Sequence, residues 1–154
     1  MNETNASKKE ELTGDTSRSA IGPAITPRDE IGLRKIYENL VRDKKITTIF
    51  RPGERVCGID KGFCENEILN IKIIDKVGAD WAKLPPQATS CGQVRVLNTT
   101  NMTIGSLMNN DFHGSSPDIF DKQSLVYNLG IIYNLPPSEL TDDSIITKTT
   151  FTYL

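Results

Sequence analysis

The sequence predicts an α+β domain built around a small mixed β-barrel with flanking helices. Three observations lead there. Ile46, Thr47, Thr48, Ile49 and Phe50 form a run suited to a pleated, half-buried strand, and Pro52-Gly53 then turns the chain back, with Gly53 free to take a positive φ. Between Glu67 and Val77, the residues Ile68, Leu69, Ile71, Ile73, Ile74 and Val77 are too continuous for a one-sided strand, which predicts a strand buried on both faces or bent by a bulge, as in a small closed barrel. Two segments, Thr26-Pro27-Arg28-Asp29 and Ser116-Pro117-Asp118, combine an N-cap, a proline at the first helical position and an acid beside the helix dipole.

Taken in order, residues 1–22 hold Asn, Ser, Thr, Lys and Glu with hardly an apolar side chain, and cannot offset the entropy of being ordered. They read as a disordered polar tail, leaving 23–154 as the domain. A helix is expected from Pro27 to about Asp43, because Leu33, Ile36, Tyr37 and Leu40 recur at helical spacing. The Ile46 strand follows, then a second short strand over Arg55–Ile59, a turn at Asp60-Lys61-Gly62, and the long strand Glu67–Val77. Gly78–Thr89 reads as a turn-rich insertion whose Trp81 covers an end of the core, and Gly92–Leu97 resumes alternation. One or two helical turns fit Thr103–Asn109. The helix opening at Ser116 carries Leu125, Val126, Leu129, Ile132 and Tyr133 on one face and ends before Pro136-Pro137. Ile145, Thr147, Thr149, Phe151 and Tyr153 then share one face of a last strand.

Composition narrows the function classes. The chain of 154 residues has a formal net charge of −2, so any contact with nucleic acid must rest on a local basic patch. Lys44, Lys45, Arg51 and Arg55 form such a cluster, with Arg34, Lys35 and Arg42 upstream; Glu139, Asp142 and Asp143 make the last loop acidic. Three cysteines, Cys57, Cys64 and Cys91, together with an N-terminus lacking an apolar run, favour a reduced, cytoplasmic chain with free thiols. In that setting the sequons at Asn5, Asn98 and Asn101 mean little. No apolar run approaches the ~18 residues of a membrane span, so no membrane partner is expected. A Cys₃His zinc site with the sole His113 has the right ligand number but the wrong spacing, since Cys57 and Cys64 are separated by six residues and Cys91 and His113 stand alone. No metal or other cofactor is called for, and no phosphate-cradling, Ser-His-Asp or dinucleotide motif is present.

A leading helix, Lys45-Ile46-Thr47-Thr48-Ile49, then Arg51-Pro52-Gly53-Glu54-Arg55-Val56, a long strand, and a late Leu-rich segment ending Ile131-Ile132-Tyr133 together resemble the ASCH family. The resemblance spans Asp29 to Leu154 and implies a PUA-like β-barrel that binds RNA or a modified nucleoside. Some small bacterial members are amidohydrolases that deacetylate N4-acetylcytidine with a Lys, a Thr three residues later and a Glu before the late helix. Carried over, these fall on Lys45, Thr48 and Asp111, with Asp118 the alternative acid under a different gap. The family Arg falls at Phe50, whereas this chain has Arg51, and a one-residue shift on a strand reverses the face.

For amide cleavage a Thr hydroxyl must lose its proton as it attacks, and a Lys whose pKa is depressed by neighbouring cations serves as base. Lys44 and Arg51 are placed to supply that repulsion at Lys45, while Asp111 would orient the ammonium or relay a proton. Strand alternation puts Lys45 on the face of Thr47 unless Lys45 precedes the regular strand. The plain alternative is that Thr47 and Thr48 serve β-propensity and the lysines a solvated edge. For binding, Lys44 and Arg51 would meet phosphate, Phe112 would stack on a base from a flexible Asn-rich loop, and His113 would contact the ligand. The other function class that fits is a non-catalytic protein-interaction module recruiting partners through its N-terminal tail.

Overall fold

The computed structural model describes residues 30–59, 62–82 and 87–154. Its frame is a five-stranded mixed sheet. Strands β1 (Glu30–Arg34), β2 (Thr48–Pro52), β3 (Ile68–Ile74), β4 (Ala88–Thr103) and β5 (Ile145–Tyr153) lie in the order β1-β3-β4-β5-β2, with β1 parallel to β3 and the other pairs antiparallel. Two helices complete the described part, α1 (Glu38–Arg42) and α2 (Lys122–Tyr133), with short 3-10 turns between elements. The sheet is a half-barrel rather than the closed barrel expected. Edge strands β1 and β2 have no ladder between them, and among the described residues one hydrogen bond joins them, from the Arg51 guanidinium to the Gly32 carbonyl at 2.8 Å.

The first predicted helix is corrected. Glu30–Arg34 is a strand, followed by a 3-10 turn over Lys35–Tyr37 and only then α1. The reason is tertiary: Ile31 and Leu33 alternate inward beside Ile71 and Ile73 on β3, which outweighs a helical spacing whose Ile36 turns out to be 65% exposed. The cap expected at Thr26–Asp29 lies outside the described residues. The strand expected over Arg55–Ile59 is also absent, leaving an isolated bridge between Cys57 and Gly62. Here the chain is tied locally, because the Arg55 amide donates to the Thr147 hydroxyl at 3.0 Å and Cys57 is disulfide-bonded to Cys64.

Other expectations hold. Gly53, after Pro52, has φ +83 and its amide donates to the Ile145 carbonyl, so the turn feeds β2 back onto β5. Strand β3 is bent by a register shift between Ile71 and Lys72, the bulge its continuous apolar run implied. Strand β4 is longer than expected and carries a second shift between Val96 and Asn98. The side chain of Trp81 lies outside the described residues. Helix α2 starts later than Ser116: Asp121 is its cap, accepting from the Ser124 amide at 2.8 Å, while the Ser124 hydroxyl accepts from the Asp121 amide at 3.0 Å. The helix ends at Asn134, in the left-handed conformation.

Two cores result from one alternation. The concave face buries Ile31, Ile49, Leu69, Ile71, Val96 and Phe151, whereas the convex face, under α2, buries Phe50, Phe112, Leu125, Leu129 and Ile146. Ile49 and Phe50 are neighbours in sequence and belong to different cores. Strand β2 is therefore the partition between them.

Candidate functional site

The start of β2 receives the loop that precedes α2. The amides of Thr47 and Thr48 both donate to the Gly114 carbonyl, at 2.8 and 3.1 Å, and the Thr48 hydroxyl donates to the His113 carbonyl at 2.8 Å. Gly114 has φ +81, and a Cβ built on it would stand 2.3 Å from the Thr47 Oγ1. Only glycine lets the loop backbone approach this closely. One residue before the contact, Phe112 is 8% exposed and its ring lies 5.6 Å from that of Phe50. Before that, Asp111 accepts from the Met108 amide at 2.8 Å and from the Lys148 ammonium at 3.0 Å. The Met108 amide first, and then Lys148, hold the Asp111 carboxyl below its ordinary range.

The other side of the start of β2 is the end of α1. The Lys45 amide donates to the Leu40 carbonyl and the Lys44 amide to the Val41 carbonyl, the double bond of a Schellman motif, with Lys44 at φ 59 where glycine is the common residue. Lys44 and Lys45 are exposed and, among the described residues, neither makes an ion pair. Because Thr47 bonds Gly114, the exposed His113 stands beside the same strand end as the two lysines. The result is a small cationic rim on a rigid backbone.

The proposed hydrolytic residues have separate local roles. Thr48 is 4% exposed with its hydroxyl committed to His113, and Asp111 is committed to Lys148 and Met108. Lys45 makes no side-chain hydrogen bond among the described residues. Arg51 leaves the group altogether. It follows Ile49 onto the concave face, while Thr48 and Phe50 face the convex side, so Arg51 points the opposite way from its neighbour Phe50. Phe112 is packed into the convex core rather than free to stack on a base.

The alternative acid, Asp118, is the better connected of the two to the leading segment. Both its oxygens lie within 2.9 Å of the Tyr37 hydroxyl, which donates to them, and its carbonyl accepts from the Asn128 side chain at 3.0 Å. Burial foremost raises the Tyr37 pKa above its ordinary value, and the Arg34 guanidinium sits 5.8 Å from its ring centroid. Lys148 was not anticipated. Its only signal is the alternation of β5, which places it opposite Phe50 on the convex face.

Cysteine chemistry also departs from the expectation of three free thiols. Cys57 and Cys64 form a disulfide with their Cα atoms 4.7 Å apart, whereas Cys91 is free and packs against the concave core. Sequence spacing concealed this because the bridge closes a tight loop around residues 58–63 instead of joining distant segments. Among the described residues, no group of three His, Cys, Asp or Glu side chains is placed to hold a metal ion, and no helix is long and apolar enough to cross a membrane.

No family model matches the chain, and no curated protein matches it. Among solved structures, it is similar to the crystal structure of protein EF3133 from Enterococcus faecalis V583, assigned to family-model DUF984. The TM-score is 0.49 and the identity 11%, over 77% of this chain and 70% of that one.

Proposed function

We propose that this chain is an ASCH-type, PUA-like domain that binds RNA or a modified nucleoside at the cationic rim where α1, β2 and the loop before α2 meet. The observation that carries the reading is the pair Lys44 and Lys45, exposed and without carboxylate partners among the described residues, at the end of the Schellman motif. A lysine at φ 59 is strained relative to glycine by an amount on the order of 1 kcal/mol, which a solvated edge does not require. A phosphate contact does require the cation. His113, exposed in the loop bonded to the same strand end, adds a donor, and the buried Thr48 and Phe112 hold the rim's backbone in place.

The geometry supports binding better than amide hydrolysis. To attack a carbonyl, Thr48 would have to give up its bond to His113 and become exposed, and Asp111 would have to leave Lys148. Fluorescence anisotropy of a short labelled single-stranded RNA, titrated across a range of salt, tests the reading. Two to three phosphate contacts predict a log–log salt slope of about −1.4 to −2, and the Lys44→Ala/Lys45→Ala variant should lose about 1.4 of it. Binding whose slope the double variant leaves unchanged would overturn the rim assignment. In parallel, N4-acetylcytidine incubated with the protein should show no change in ultraviolet absorbance; turnover that Thr48→Val abolishes would restore the hydrolase.

A further inference from the structure

The concave face holds a second polar group that the rim does not use. From β4 and β5 toward the Pro52-Gly53 turn, the inward positions change from Val94, Val96 and Phe151 to Thr99, Asn101, Thr147 and Thr149, and Arg51 enters from β2 beside Thr147. Thr147 and Thr149 are both only 2% exposed. Thr147 is satisfied, its hydroxyl shared as donor between the Gly53 carbonyl at 2.8 Å and the Asn101 Oδ1, and accepting from the Arg55 amide at 3.0 Å. Thr149 is not. Among the described residues its one side-chain hydrogen bond is with the Thr99 hydroxyl at 3.4 Å, at the limit for such a bond.

Arg51 is under-used in the same way. A guanidinium has five N–H donors, and here its hydrogen bonds go to the carbonyls of Gly32, at 2.8 Å, and Phe50, at 3.2 Å. Among the described residues no carboxylate pairs with it, and no Asp or Glu occupies the inward positions of β2, β4 or β5. Arg51 lies across the ladder from Thr147, two residues along β5 from the buried Thr149 hydroxyl, and the Asn101 Oδ1 at that level is already taken up by the Thr147 hydroxyl and the Arg55 amide, so this end of the face has donors to spare. Such a surface is complementary to an oxyanion. The seam between β1 and β2, crossed among the described residues by the Arg51 bond alone, lies next to it.

We propose that the concave end of the half-barrel binds a small phosphate-type oxyanion, with the Arg51 fork and the Thr149 and Thr99 hydroxyls as donors. The site faces away from Thr48 and does not rest on the nucleic-acid reading. Inorganic phosphate titrated into 15N-labelled protein tests it. Saturable shifts are expected at the amides of Arg51, Thr147 and Thr149, unchanged in Lys44→Ala/Lys45→Ala. Arg51→Met should weaken binding by about tenfold or more, as loss of a charged hydrogen bond implies. Thr149→Val, near-isosteric and independent of the seam contact, should weaken it about threefold to tenfold with the spectrum otherwise native. Phosphate that shifts none of these amides, or binds Arg51→Met and Thr149→Val as tightly as the wild type, would overturn the site. So would binding lost with the rim lysines alone.

Discussion

Gly114→Ala is the most informative single change, because it tests the contact on which the rim depends. The new Cβ would lie 2.3 Å from the Thr47 Oγ1 and 3.1 Å from the Thr48 Oγ1, and the φ of +81 is itself unfavourable for an L-residue. Backbone strain there amounts to about 1–2 kcal/mol and overpacking to about 1–3 kcal/mol. The loop has one escape, which is to lift away. That would break the bonds from Thr47 N, Thr48 N and the Thr48 hydroxyl, worth about 1 kcal/mol each, and so caps the cost near 3 kcal/mol. A loss of about 3 kcal/mol lowers the thermal midpoint by about 6–12 °C for a domain of this size. Urea denaturation followed by circular dichroism measures the loss, and Thr47→Ala supplies the control. By removing the Oγ1 it relieves the shorter contact, so the double variant should recover about 1–2 kcal/mol relative to additivity, with the φ strain remaining. Gly114→Ala within about 0.5 kcal/mol of wild type, or a strictly additive cycle, would refute the close approach of loop and strand.

Three further outcomes follow from single groups. Asp111 titrates below its ordinary range, so the stability it contributes is present above about pH 4, its unfolded range, and is lost as pH falls through the folded pKa. Asp111→Asn should therefore flatten the acid limb of a plot of urea midpoint against pH; an unchanged limb would remove the carboxylate's role. Tyr153, whose hydroxyl donates to the Ile46 carbonyl at 2.6 Å, has its pKa pushed up to about 12, burial foremost. Its contribution is complete below about pH 10 and is lost as pH rises toward 12, so Tyr153→Phe should resist alkaline unfolding better than the wild type, relative to their neutral stabilities. Alkylation in denaturant without reductant should label Cys91 alone, and Cys57→Ser/Cys64→Ser should lower stability by about 2–3 kcal/mol, the chain-entropy value for so short a loop. Labelling of all three cysteines would dissolve the bridge.

The elements legible in the sequence are those whose burial has a short period and a local stop signal. The last strand shows this, since Thr147, Thr149 and Phe151 alternate inward as expected, and Pro52-Gly53 marks the turn after β2. The first segment was illegible for the opposite reason. Ile31 and Leu33 become a strand only because β3, some forty residues later, supplies a parallel partner; nothing within the segment distinguishes that from a helix. Ser116-Pro117-Asp118 imitates a helix start, but Asp118 is engaged by Tyr37 and the true cap waits for Asp121. Site residues divide in the same way. The exposed lysines could be read from charge alone, whereas Lys148 and the Tyr37–Asp118 pair are set by tertiary contacts with no short-range trace.

One physical rule accounts for both candidate sites. Along β2, alternate residues point to opposite sides of a sheet that is buried on both faces, so a chain that needs the loop contact at Thr48 and core packing at Phe50 must send residues 49 and 51 to the concave side. Ile49 fits that apolar interior. Arg51 does not, and it is tolerated because the interior turns polar at that level: Thr147 and Thr149 lie across the ladder, and the open edge of β1 offers the Gly32 carbonyl. The two carbonyls that the guanidinium meets, Gly32 and Phe50, take up only two of its five N–H donors. That fork, two residues along the ladder from the weakly bonded Thr149 hydroxyl, leaves hydrogen-bonding capacity among the described residues that the proposed anionic guest would consume.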